Sequence, residues 1–84
     1  MDDAKGGEAL TALVSRTLGI PWSLVVDELG FGTIPEWDSL NHVQLMLALE
    51  AAYGVEIDEE RMITLTSIGT VRRFVAATAR ERVT

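Results

Sequence analysis

At 84 residues the chain has room for one compact core, and a deep enclosed active site with its own specificity pocket would be hard to house. It has no cysteine and a single histidine, His42, which excludes a disulfide framework, a thiolate or histidine-rich metal site and a cysteine nucleophile. The net charge of -6 is lopsided: twelve acids face two bases up to Glu60, and five arginines face Glu81 from Arg61 onward, so the acidic body repels nucleic acid and suits basic protein partners or plain solubility.

An apolar fraction of 48% is ordinary for a globular domain and argues against disorder. No run approaches the roughly 20 apolar residues that cross a bilayer. The acidic start, Met1 to Gly7, lacks an apolar signal core. A single domain over 1–84, located in the cytoplasm and away from membranes, is the expectation.

Residues 1–7 read as a frayed start. Leu10, Leu13, Val14 and Leu18 then recur at helical spacing, and Gly19 with Pro21 supplies a stop, so the first helix is expected over Glu8 to Leu18. Ile20 to Trp37 has apolar residues without a clean period and is broken by Gly30, Gly32 and Pro35. It reads as a long loop with one short turn near Pro21 to Val25, held on the core by Trp22, Leu24, Val26, Leu29, Phe31 and Ile34. Structureless loops of this length are often functional.

The helical signal is strongest from Asp38. Leu40, Val43, Leu45, Met46, Leu47 and Leu49 cover more than one face, and Gly54 after Tyr53 suits a left-handed cap. A helix this apolar is either central or offers an apolar strip to something else. Asp58 can cap a short helix through Glu59, Glu60, Arg61 and Met62, and Thr66 or Ser67 can cap the last one. That helix has the stripe Ile68, Val71, Phe74, Val75 and Thr78, with Arg72, Arg73, Arg80 and Arg82 on its wet side. The fold expected is an all-α bundle of three main helices and one short one, with a long loop between the first two.

Enzyme constellations are poorly supported. Ser39 and His42 stand three apart on one helix with no glycine elbow, which is a weak basis for a serine hydrolase. Gly30-Phe31-Gly32 lacks the rest of a phosphate-binding fingerprint. The segment that remains is Glu36-Trp37-Asp38-Ser39-Leu40. A serine at a helix start lies beside free backbone N–H groups and the positive end of the dipole, a setting that favours an attached phosphate. Trp37 would anchor the end of the loop. Asp38 is a good cap and could help hold a metal ion during phosphate transfer. Leu40 and Val43 would form an apolar landing. Asp-Ser by itself reads better as a capping pair than as an attachment site, and His42 is expected to be solvated or to face a partner. Met46 and Met62 are expected to pack inside, while Ile63 and Leu65 either fill the core or line a cavity between the second and last helices.

Trp37-Asp38-Ser39-Leu40, the run Val43 to Glu50 and the closing Tyr53-Gly54-Val55-Glu56-Ile57 together resemble the acyl carrier protein family, including its peptidyl and D-alanyl carriers. The resemblance covers nearly the whole chain. It implies a carrier and not an enzyme, with 4′-phosphopantetheine covalently on Ser39 and Asp38 assisting its attachment. The arm's thiol would hold acyl or aminoacyl groups as thioesters, and the sulfur missing from the chain would thus be imported. Implied partners are a phosphopantetheinyl transferase, an acyl- or aminoacyl-loading enzyme and downstream transferases or synthases, served by a monomer. The docking residues expected from it are Leu40, Val43, Leu47 and Glu50. The second helix is poor in acids, with Asn41, His42, Gln44 and Ala51 at positions expected to be exposed. That points away from general fatty acid synthesis and toward polyketide, nonribosomal or other specialised pathways. A D-alanyl-type carrier stays open, as does a small acidic interaction module with unmodified Ser39. Replacing Trp37 is expected to impair modification more than folding.

Overall fold

The computed structural model describes residues 2–83, and their side chains from 9 to 78. It is all-helical: α1 spans Asp2–Leu18, α2 Ser39–Tyr53, α3 Glu59–Thr64 and α4 Ile68–Val83, with a single 3-10 turn at Trp22–Leu24 in the long loop. The helix start expected at Glu8 lies inside α1. Gly6 and Gly7 weaken a helix interior, yet α1 runs through them. Met1 lies outside the described residues.

Helix ends follow local chemistry. Asp38 caps α2 by accepting from the Asn41 N–H at 2.9 Å, and Asp58 caps α3 by accepting from the Arg61 N–H at 2.8 Å. Ser67, not Thr66, caps α4: its Oγ takes the Thr70 N–H while the Thr70 Oγ1 takes the Ser67 N–H, both at 3.2 Å. Gly54 closes α2 at φ 65°, and its N–H returns to the Glu50 carbonyl.

Leu13, Val14 and Leu18 of α1 pack with Leu45, Met46 and Leu49 of α2 and with Leu65, Ile68 and Val71 of the α4 end of the chain. Met62 packs against this core from α3, as expected. The loop is held differently from the expectation. Of its six supposed anchors only Leu29 is buried, and Ile34 is half-buried. Trp22, Leu24, Val26 and Phe31 are exposed, and Val25 goes inside in place of Val26. The reason is that backbone hydrogen bonds fix the loop's register. Asp27 and Leu29 give their carbonyls to the first N–H groups of α4, those of Gly69 and Ile68, at 3.1 and 2.9 Å, and the Phe31 N–H reaches the Thr66 carbonyl at 2.8 Å. The loop thus satisfies donors that a helix N-terminus cannot satisfy itself. A Cβ on Gly30 would sit 3.2 Å from the Thr66 carbonyl oxygen, so the approach is close enough to favour glycine. Arg72 stays partly exposed and bonds the exposed Asp27 at 2.9 Å across the same seam. Arg73 is exposed, and the side chains of Arg80 and Arg82 lie outside the described ones.

Tyr53 is half-buried at the end of α2, and burial raises its phenol above the ordinary 10.0. The folded chain therefore prefers the neutral phenol. The resulting stability is fully present below the unfolded value and is lost as pH rises through the folded one. Because Tyr53 is the only tyrosine, its ultraviolet tyrosinate signal is unambiguous. Its midpoint should lie higher in the folded chain than in urea.

Candidate functional site

The site is the junction where the long loop enters α2. Two short bonds shape the approach: the Trp37 N–H donates to the Ile34 carbonyl at 3.2 Å, and the Gly32 N–H donates to the Trp37 carbonyl at 3.0 Å. Gly32 sits at φ 82°, a conformation open to glycine at little cost. The turn drives Trp37 into the core, where it is fully buried. An indole carries the largest apolar surface of any side chain but also one N–H that needs an acceptor. His42, one turn into α2, supplies it: Trp37 Nε1 donates to His42 Nδ1 at 3.0 Å.

His42 is therefore not the solvated or partner-facing residue expected from its spacing. It is buried at 7% exposure. Its Nε2 stands 2.8 Å from the Met62 carbonyl oxygen of α3, and Phe31 meets its ring edge-on, with centroids 5.3 Å apart. A histidine within a run of apolar helix residues is ambiguous in sequence. Its hydrogen-bond partners come from residue 37 and from residue 62, and no spacing rule announces them.

Buried Trp37 and capping Asp38 leave Ser39 outside. Ser39 is the first residue of α2 and is exposed. Of the first N–H groups of α2, that of Asn41 goes to Asp38 Oδ1 and that of His42 to the Asp38 carbonyl. Those of Ser39 and Leu40 meet no acceptor among the described residues. Asn41 also donates from Nδ2 to the Glu36 carbonyl at 2.7 Å, tying the loop end to the helix from the wet side. Beside the serine lies a shallow groove of about 460 Å³ lined by residues of 31–35, Trp37, Asp38 and Ser39.

Leu40, Val43 and Leu47 form an exposed apolar strip running along α2 from Ser39, at 68, 41 and 55% exposure. Gln44 and Ala51 are exposed as expected. Glu50 works within the fold, where its Oε2 accepts the Ile57 N–H at 2.8 Å and braces the segment after Gly54. Ile63 and Leu65 do not line a shared cavity. Leu65 is in the core, and Ile63 is 74% exposed on α3.

No family model matches the chain. Among curated relatives, the acyl carrier proteins of Bradyrhizobium sp. (strain ORS 278), Rhodopseudomonas palustris (strain TIE-1) and Nitrobacter hamburgensis are each 31% identical to it over 74 residues, which is 88% of this chain and 94% of theirs. With that likeness over nearly the full length, the chain belongs to the acyl carrier protein family.

The complete burial of Trp37 means that its loss costs folding as well as any modification at the junction. Trp37→Ala should lower stability by about 3–5 kcal/mol, much of the roughly 5–15 kcal/mol that holds a typical domain. Urea denaturation of the unmodified chain measures this directly.

Proposed function

We propose that the chain is a carrier and not a catalyst, with 4′-phosphopantetheine attached through a phosphodiester to Ser39. The observation that carries this is the junction itself: Trp37 and Asp38 fix a helix start on which Ser39 is exposed beside two open N–H groups. The residues present fit the group. The two N–H groups and the positive end of α2 suit a phosphate, and the groove beside Ser39 leaves space for an arm. When bound, the arm supplies a thiol that carries acyl or aminoacyl groups as thioesters. The chain's own residues orient the hydroxyl and present a surface. Asp38 Oδ1 is committed to the cap, and the carboxylate charge beside Ser39 suits it to help a transferase place its metal ion.

The partners in this reading are a phosphopantetheinyl transferase, a loading enzyme and downstream transferases or synthases. They read Leu40, Val43 and Leu47, a strip with no acid in it. Glu50 adds to it only through the charge left over from its bond to Ile57. A strip so apolar docks by burial more than by charge steering. This supports a specialised pathway of polyketide or nonribosomal type over general fatty acid synthesis.

Intact mass after incubation with coenzyme A, magnesium and a broad-specificity transferase tests the reading. One phosphopantetheine should be added to the chain and none to Ser39→Ala. No addition where a control carrier is modified would mean an unmodified interaction module. Asp38→Asn separates the capping role of that residue from its charge. Asparagine caps as well as aspartate, so stability should hold within about 0.5 kcal/mol. Modification should slow about ten-fold if the charge assists transfer, and an unchanged rate would leave Asp38 as a cap only.

A further inference from the structure

A six-residue helix has little stability of its own, because the cost of nucleating it is recovered only over many following turns. α3 has in addition no fully buried residue. Its place is set by a few directional contacts. Asp58 caps its start, Met62 packs partly on the core, and the Arg61 guanidinium lies 4.8 Å from the centre of the Phe74 ring on α4. A further contact comes from α2. The Trp37 indole N–H can only donate, so His42 Nδ1 accepts and the ring's proton sits on Nε2, aimed at the Met62 carbonyl 2.8 Å away. That carbonyl is among the last four of α3, which have no backbone N–H partner within the helix. His42 completes α3 and, through Trp37, ties it to the residue two positions before Ser39.

The geometry points to His42 as a positioning residue that locks α3 to the Ser39 end of α2. It makes one partner-reading surface of the exposed residues that flank its hydrogen bond, Val43 on α2 and Ile63 on α3. The partner-reading role rests on the carrier function proposed above, whereas the locking of α3 does not. A histidine that only filled space would be replaced well by leucine. A histidine that holds α3 would not.

Two substitutions make the test, read first by hydrogen exchange on the unmodified chain. His42→Leu keeps an apolar side chain and deletes both ring hydrogen bonds. His42→Gln keeps an acceptor and a donor. In His42→Leu the amides of Met62 and Leu65, bonded to Asp58 and Arg61, should exchange at least about ten-fold faster, while those of α1 and α4 change less than about three-fold. His42→Gln should return Met62 and Leu65 to within about three-fold of the parent. With a phosphopantetheinyl transferase, His42→Leu should raise KM for the carrier about five-fold and leave kcat within about two-fold, as loss of uniform binding does.

Unchanged exchange in α3, or equal acceleration in every helix, overturns the lock. An unchanged KM overturns the partner-reading role. Failure of the parent chain to accept the arm removes the carrier reading and that role with it, while the exchange pattern still decides the lock. If His42→Leu does not fold, nitrogen NMR of the parent imidazole decides. A proton on Nε2 with coupling to the Met62 carbonyl supports the lock, and a proton on Nδ1 overturns it.

Discussion

Trp37 takes an N–H into a place water does not reach, and the rest of the molecule is arranged around answering it. A buried donor left unpaired costs about 1–3 kcal/mol, so the indole can bring its apolar surface inside only where an acceptor waits. His42 Nδ1 is that acceptor, and it is aimed correctly because its own proton is held by the Met62 carbonyl. Two bonds through one imidazole therefore commit the loop end, the first turn of α2 and the last turn of α3 together. The exposure of Ser39 follows from them. With residue 37 driven inward and residue 38 turned to cap the helix, residue 39 opens α2 with its side chain outside.

A second constraint acts at the other end of the loop. Its backbone gives carbonyls from Asp27 and Leu29 to the opening of α4 and an N–H from Phe31 to Thr66. A loop this long with so little regular structure would be a heavy entropic load on so small a domain. Backbone bonds to a helix start let the loop lie on the core with Ile20, Val25, Leu29 and part of Ile34 inside ahead of Trp37. The aromatic and aliphatic side chains between them stay on the surface as a result of this register, although Phe31 still finds the edge of the His42 ring.

Much of this was legible in the residues. Four helices and the caps at Asp38, Asp58 and Gly54 follow from short-range rules, since each depends on groups a few residues apart. The candidate serine was legible for the same reason, because a helix start is a local feature and Trp-Asp-Ser-Leu marks one. The loop's inward set was not. Trp22 and Phe31 look like anchors by hydrophobicity, but which loop residues turn inward depends on bonds to residues 66–69, and no local pattern encodes them.

His42 shows the same division most clearly. Sequence alone determined that the chain has one histidine, that it stands one turn beyond Ser39, and that an apolar helix surrounds it. Tertiary structure alone decided whether that turn faces water or the core. Helical spacing gives relative directions around one axis, and the inward direction is set by what the other segments bring. Here Trp37 brings a donor, Phe31 a ring edge and Met62 a carbonyl, and a side chain able to accept on one nitrogen and donate on the other is the one that can sit between them.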